Sequence, residues 1–334
     1  MGFTTQQDVE RKTISILKVL NDSSVPIGSR VIAARLAEMG IDLGERAVRY
    51  HLKLLDENGQ TRLAGRRDGR LLTQRGQEEL ENALVQDKVG FAISKIETLA
   101  FRTDFNIDTQ TGSVPINISF FFKDIFPQSL EAMKPAFKAG FCISNLVAVA
   151  DEGQQLGGVS VPMGMVGFAT VCSVVLNGVL LKKGVPMESR FSGVLQLRDY
   201  KPMRFVELIN YSGCSLDASE VFIRANMTRV INAVEEGNGK ILATYREIPA
   251  VCKPVVDQTV AKLEQIGMSG LVLMGGVSET VCEIPVELNR VGIIYLNGLN
   301  PVAAAAEAGF EAENHGMSTV IPYSSLMDIN SITA

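Results

Sequence analysis

The segment GERAVRYHLKLL, residues 44–55, decides the fold of the N-terminal part of the chain. Val48, Leu52 and Leu55 recur at helical spacing, so they predict a helix with one buried face. The side chains left for the opposite, exposed face are Arg46, Arg49, Tyr50 and Lys53. Another amphipathic segment ends near Gly40, just upstream. A helix, a short turn and a second helix with a basic outer face is the arrangement that places a recognition helix in the major groove of DNA.

A predicted β-hairpin follows this helix. Residues 61–64 form its first strand, residues 65–70 turn, and Leu71 and Leu72 return. Its arginines are Arg62, Arg66, Arg67 and Arg70. Cations near the tip of such a wing bind phosphates or enter the minor groove. The order and spacing of these helices and strands together predict a winged-helix DNA-binding domain over residues 1–84. A basic helix face by itself is more often solvated surface. Winged helices also bind RNA or protein.

Bulk composition indicates a soluble, cytoplasmic, globular protein. With 46% hydrophobic residues and a mean hydropathy of +0.16, the 334-residue chain can bury a large core. No apolar run is long enough for a membrane span, and the N-terminus has no apolar signal-peptide region. Residues 1–90 hold 14 basic and 13 acidic side chains, whereas residues 91–334 hold 18 and 24. A locally basic N-terminal domain joined to an acidic remainder favours binding at a defined DNA site over nonspecific binding along nucleic acid.

The remainder of the chain predicts a linker followed by a duplicated domain. Residues 85–113 are expected to form a linker helix and the start of a hairpin that extends over residues 99–122. Beyond it, motifs recur in order at offsets of about 120 residues. The paired motifs include Phe122–Pro127 with Tyr245–Pro249, Gly157–Val159 with Gly275–Val277, and Leu176–Gly178 with Leu296–Gly298.

This repetition sets the expected fold class. The chain should be α+β, with an N-terminal winged helix-turn-helix followed, over residues 114–334, by a duplicated α/β effector domain with pseudo-twofold halves. A cleft between related halves favours a small ligand. The strand-to-helix turns expected at Asn177-Gly178 and Asn297-Gly298 could present backbone N–H groups to an anion.

The sequence contains few residues or motifs that are typical of enzyme catalysis. There are two histidines, His51 and His315, and none of the common hydrolase, metalloprotease or phosphate-loop motifs. His51 is expected to be a surface or packing residue of its helix. The five cysteines include no CxxC pair, and Cys172 is expected to be a buried structural thiol. We therefore expect no catalytic residues, no metal and no cofactor. The alternatives are a small-carboxylate enzyme with a fused DNA-binding domain and a protein-interaction scaffold.

The sequence resembles a known family, the archaeal nitrogen-regulatory repressors, NrpR. The likeness covers nearly the whole chain, and its body segments are more specific than its winged helix. The residues that carry it are Arg46–Leu52, Leu72–Gly76, Ala169–Ser173, Asn177-Gly178 and Gly298–Ala304.

The resemblance implies a dimeric transcriptional repressor that occupies a palindromic operator upstream of nitrogen-assimilation genes. It also implies release from DNA when 2-oxoglutarate binds the effector domain. Some family members carry two effector domains, whereas this chain has room for one. Whether it acts as a homodimer or with a separate chain that has only an effector domain stays open at this stage.

A dicarboxylate effector needs cations or aimed N–H donors. Arg190 and Lys182 are the nearest cations after the first Asn-Gly pair. The expected effector site consists of Thr170, Cys172, Ser173, Asn177 and Arg190, with Gly275, Gly276 and Asn297 opposite.

Overall fold

A computed structural model describes residues 6–23, 25–65, 69–81 and 90–332. The chain divides into two compact units, Met1–Val89 and Gly90–Ala334. The boundary predicted after residue 84 lies outside the described residues.

The N-terminal unit is a small helical core with a hairpin. Its elements, in order, are α1 (Gln6–Asn21), α2 (Ser29–Glu38), α3 (Glu45–Glu57), β1 (Thr61–Gly65), β2 (Gly69–Leu72) and α4 (Gln74–Glu81). Leu17, Leu36 and Leu52 are fully buried at the centre of its core. The strands β1 and β2 pair antiparallel. Helix–turn–helix followed by a hairpin confirms the predicted winged helix.

The second unit begins with a helix, so the hairpin predicted over residues 99–122 is wrong in its first strand, whereas its second strand is confirmed. Helix α5 (Phe91–Arg102) continues through residue 99, because its buried face extends to Ala100 and the Thr103 hydroxyl donates to the Leu99 carbonyl at 2.8 Å. Strand β3 (Ser113–Phe122) is a single strand, buried along most of its length. This strand pairs with other strands along both of its edges, whereas each strand of an isolated hairpin leaves one edge unpaired.

The rest of this unit forms two five-stranded sheets and their covering helices. The elements are α6 (Phe126–Lys138), β4 (Leu146–Asp151), β5 (Gln155–Leu156), β6 (Val159–Ser160), β7 (Met165–Val171), α7 (Val174–Lys182), β8 (Glu188–Arg198), β9 (Lys201–Asn210), α8 (Ala218–Arg224), α9 (Val230–Glu236), β10 (Gly239–Pro249), α10 (Lys253–Gln265), β11 (Leu271–Val277), β12 (Arg290–Leu296), α11 (Asn300–Glu307), β13 (Glu313–Pro322) and β14 (Met327–Asp328). One sheet has the order β13-β3-β7-β4-β14 and the other β11-β12-β10-β8-β9. Every neighbouring pair of strands in both sheets is antiparallel.

The sheet orders confirm the duplication and the α+β class. The run β3-α6-β4-β7-α7-β8 repeats as β10-α10-β11-β12-α11-β13. The last strand of each run lies in the sheet of the other run, since β8 pairs with β10 and β13 pairs with β3. The two halves are therefore joined by a reciprocal exchange of strands.

The structure changes which residues of the two halves correspond. Strand pairing aligns Val171 at the end of β7 with Leu296 at the end of β12, so Cys172 stands where the second half has Asn297. Asn177 lies inside α7 and not in the predicted turn. Gly178 lets α7 lie close to the C-terminal end of α5, because a Cβ there would lie 2.4 Å from the Thr103 Cβ.

The paired Gly-Gly-Val motifs also differ in structure. Gly157 and Gly158 form the turn of the small β5–β6 hairpin, both with positive φ. Gly275 and Gly276 lie inside the edge strand β11. The difference arises because the β5–β6 hairpin is inserted between β4 and β7.

Candidate functional site

The outer face of α3 carries the predicted DNA-binding residues. Val48, Leu52 and Leu55 are fully buried, and the exposed side chains are Arg46, Arg49, Tyr50 and Lys53. Arg49 pairs with Glu45 at 3.4 Å and Lys53 with Glu57 at 3.7 Å. Such exposed pairs contribute little, so they leave both cations available to phosphates or bases.

His51 is a packing residue of α3, as expected. Its side chain is buried, and its ring meets the Tyr50 ring edge-on with 5.6 Å between centroids. Burial is the largest cause of the lowered pKa of His51, and Lys12 lowers it further. A neutral, packed imidazole is not a DNA contact.

The arginines of the wing occupy different environments. Arg62 is exposed on β1, whereas the Nε atom of Arg70 donates to Asp56 Oδ2 at 2.8 Å. The Thr61 hydroxyl donates to the other oxygen of Asp56 at 2.6 Å, which ties the base of the hairpin to α3. Arg66 and Arg67 lie outside the described residues.

The end of β7 forms a buried polar cluster in the second unit. Thr170 Oγ1 accepts a hydrogen bond from the Asn117 amide at 3.2 Å, and Asn117 Oδ1 accepts from the Met317 N–H at 3.0 Å. Gly298, in the turn after β12, packs against the same place, because a Cβ there would lie 2.1 Å from the Val171 carbonyl oxygen. The structure thus brings the ends of β7 and β12 into contact.

Cys172 is enclosed at this position. It packs with Val174, Tyr211 and Met317, and burial raises the pKa of its thiol to about 11. The thiol is therefore protonated at neutral pH, which is unfavourable for a nucleophile.

Arg246 was missed in the sequence and is the most unusual charge of this unit. Its side chain lies on β10 and is 2% exposed. Nη1 donates to the Ser173 carbonyl at 3.0 Å and Nη2 to the Ser173 hydroxyl at 2.8 Å. The sequence feature that could have indicated this residue is a single arginine in the largely apolar segment ILATYREIP, residues 241–249.

Asn177 and Arg190 lie at a different place. Asn177 lines a cavity of about 550 Å³ between α5, α7 and the start of β8, and its amide nitrogen donates to Ser189 Oγ at 3.0 Å. Arg190 already binds two carboxylates, those of Glu188 and Glu287. These two carboxylates already neutralise the charge of Arg190.

The remaining predicted residues are also separated. Gly275 and Gly276 lie on the edge strand β11, beside Val281 and Glu279. The Asn297 amide donates to Ser219 Oγ at 2.6 Å. Lys182 Nζ donates to the Phe101 carbonyl at 2.9 Å. Of the expected set, the structure places Thr170, Cys172 and Ser173 together near the turn that contains Asn297.

The described residues include neither a metal-binding cluster nor a membrane-spanning helix. In residues 6–23, 25–65, 69–81 and 90–332, no group of three or more His, Cys, Asp or Glu side chains could hold a metal ion. None of the helices in those ranges combines the length and apolar character that crossing a membrane requires.

Comparison with known proteins identifies the family. A winged helix followed in the chain by a duplicated, strand-exchanged domain is an arrangement typical of regulatory proteins. Residues 89–328 match the family of NrpR regulatory domains NRD1 and 2, and residues 14–80 match the Ribonuclease R winged-helix domain. The chain belongs to the NrpR family of nitrogen regulators.

Individual relatives agree with this assignment. The chain is 41% identical over 321 residues to Global nitrogen regulator NrpRI of Methanosarcina mazei, covering 96% of this chain and 98% of the relative. Global nitrogen regulator NrpR of Methanococcus maripaludis is 31% identical over 300 residues, which cover 90% of this chain and 52% of that protein. A crystal structure of a nitrogen repressor-like protein from Methanococcus jannaschii aligns with a TM-score of 0.61 at 25% identity, covering 72% of this chain and 99% of that one.

Proposed function

We propose that this protein is a cytoplasmic transcriptional repressor of nitrogen-assimilation genes, which binds a palindromic operator and leaves it when 2-oxoglutarate binds. The observation that carries DNA binding is the exposed face of α3, where Arg46, Arg49, Tyr50 and Lys53 lie opposite a fully buried seam. The names of the relatives support the nitrogen-related role.

The proposed repressor acts as a homodimer, with or without a second chain that has only an effector domain. Two winged helices on one duplex match a palindrome whose half-sites are separated by about one helical turn, roughly 34 Å. The protonated thiol of Cys172 is unfavourable for nucleophilic catalysis. In the proposed mechanism the effector is a ligand and not a substrate, and no cofactor or metal takes part.

Operator binding is tested by fluorescence anisotropy on an intergenic fragment. Arg49→Ala and Lys53→Ala should weaken binding and reduce the slope of log K against log salt by about 0.9 for each phosphate that the variant no longer neutralises. Arg204→Ala, which removes an exposed cation from β9 of the effector unit, is the charge-matched control. If all three variants bind as the wild type does, α3 is not the DNA-binding element.

The proposed effector site combines Thr170, Cys172 and Ser173 with Asn297, whereas the predicted residues Asn177, Arg190, Gly275 and Gly276 lie elsewhere in the domain. Calorimetric titration with 2-oxoglutarate tests it in Cys172→Phe, which places a bulkier side chain at the end of β7, with Arg190→Ala as the control outside the cluster. Affinity unchanged in Cys172→Phe would exclude this assignment while leaving the DNA-binding proposal intact.

A further inference from the structure

Arg246 is a buried cation with an incomplete set of partners. Within the described residues, its Nε atom has no hydrogen-bond partner and no carboxylate pairs with its guanidinium. The Tyr295 ring, with its centroid 5.3 Å from Cζ, supplies only partial compensation. Burying a charge is unfavourable unless an opposite charge and hydrogen bonds offset the loss of hydration. The guanidinium of Arg246 is therefore in a position to gain from an added anion.

A second source of positive potential lies at the same point. Arg246 donates two hydrogen bonds to Ser173, the residue immediately before the nine-residue helix α7. The N-terminus of a helix attracts anions through its dipole, which acts here even though the Val175 and Leu176 N–H groups donate to the Cys172 and Ser173 carbonyls. Asp217, an acidic neighbour of Cys172, already accepts the N–H groups of Ser219 and Glu220.

We propose that the Arg246 guanidinium is the anion-binding group of the effector domain, and that a ligand carboxylate binds it at the N-terminus of α7. The ligand would take the hydrogen bonds that Ser173 holds in this structure and would satisfy Nε. This inference rests on the proposed function for the identity of the ligand, a small dicarboxylate. It assigns a residue that lay outside the expected effector site.

The position of Arg246 couples binding to the contact between the halves. Arg246 belongs to β10 of the second half, whereas Ser173 follows β7 of the first half. An anion that displaces Ser173 removes two of the hydrogen bonds that connect the halves. Ligand binding would therefore favour a different arrangement of the halves, which is the differential interaction that allostery requires.

The duplication also sets the stoichiometry. Strand pairing aligns Phe168 with Ile293, and Ser119 therefore occupies in β3 the position that Arg246 occupies in β10. Ser119 has no charge, and its hydroxyl donates to Asn314 Oδ1 at 2.6 Å. One anion should bind per chain, although the fold is duplicated.

Calorimetric titration of the full chain with 2-oxoglutarate, succinate and sulfate tests the inference. The wild type should bind one dicarboxylate per chain. Arg246→Met should lower the affinity at least about 30-fold, because a buried, hydrogen-bonded charge pair loses one partner. Arg246→Lys keeps the positive charge but lacks the planar guanidinium group. Its affinity should therefore lie between those of the wild type and Arg246→Met. Arg204→Met, on the exposed surface of β9, is the matched control and should bind as the wild type does.

The outcomes separate this inference from the proposed function. Met can replace a buried charge without loss of stability, so an unchanged thermal midpoint of Arg246→Met without ligand would show that it is folded. A folded Arg246→Met that binds as the wild type does overturns the inference, as does a wild type that binds none of the three anions. If the wild type binds succinate or sulfate through Arg246 but ignores 2-oxoglutarate, the site stands and the proposed trigger fails.

Discussion

At the scale of single residues, similar sequence contexts give different roles. Asn177 and Asn297 both precede glycine, yet Asn177 is inside α7 and Asn297 follows β12. Their neighbours decide this: Gly178 packs against Thr103, whereas Gly298 packs against the Val171 carbonyl. Local sequence cannot show either contact, because both partners lie more than 70 positions away in the chain.

Local sequence also could not identify Arg246 as a residue of the candidate site. Its apolar surroundings predict a buried strand, but its partner Ser173 comes from the other half of the domain. Arg190 was the expected cation because it follows the first Asn-Gly pair in sequence. In the structure it binds Glu188, two positions away in the chain, and Glu287, whose proximity depends on the fold.

Glu220 should make stability depend on pH. Burial, and next to it the charge of Asp217, raise the pKa of Glu220 to about 7 from its usual value near 4.5. The Gly316 N–H, which donates to it at 2.7 Å, and the charges of Lys95 and Arg224 act in the opposite direction. The folded protein therefore holds this proton more tightly than the unfolded chain, and the stability it contributes is lost as the pH rises from about 4.5 through about 7.

Glu220→Gln should remove this dependence, because it keeps an acceptor for the Gly316 N–H and carries no charge. We expect its thermal midpoint to exceed that of the wild type by a few degrees at pH 8 and to match it near pH 4.5. Glu235→Gln, exposed on α9, is the control. Identical midpoint-against-pH curves for Glu220→Gln and the wild type would contradict the expectation.

At the scale of elements, periodicity predicted α3 and the strand β3, but not the strands that pair with β3. Val48, Leu52 and Leu55 recur at helical spacing, and the structure buries all three. Residues 114–119 alternate apolar and other side chains, as a strand does, but residues 114–121 are all buried, so this alternation could not distinguish an internal strand from half of a hairpin. The strands that cover it, β7 and β13, are distant in sequence.

The base of the wing should depend on Asp56. Its carboxylate accepts from Thr61 Oγ1 and Arg70 Nε, and both interactions are only partly exposed. Asp56→Ala should lower the free energy of unfolding of the N-terminal unit by about 1–3 kcal/mol, because it leaves these donors unpaired. Urea denaturation measures this value. Glu57→Ala, the exposed next position, should change it by less than about 0.5 kcal/mol. Equal effects of the two substitutions would show that Asp56 does not secure the hairpin.

At the scale of the whole molecule, the exchanged strands make the two halves of the effector unit interdependent. Strand β8 is encoded in the first half but pairs with β10, and β13 is encoded in the second half but pairs with β3. The repeated motifs could predict a duplication, because they are local in sequence. They could not predict the exchange, since it consists only of long-range pairing.

Separated halves should therefore fail to fold. A chain that ends at residue 236 retains β8 and β3 without their partners β10 and β13. We expect residues 90–236 alone to lack a cooperative thermal transition by circular dichroism, and co-expression with residues 237–334 to restore it. A cooperative transition of residues 90–236 alone would show that the exchange is dispensable.

The proposed function requires that a metabolite control the binding of this protein to DNA. An electrophoretic mobility shift with the full chain and an intergenic fragment from a nitrogen-assimilation gene measures this control. We predict a specific complex without ligand and its disappearance when 2-oxoglutarate is added at millimolar concentration, with sodium chloride at equal ionic strength as the control. A complex that persists at the same protein concentration in the presence of 2-oxoglutarate would contradict control by this metabolite.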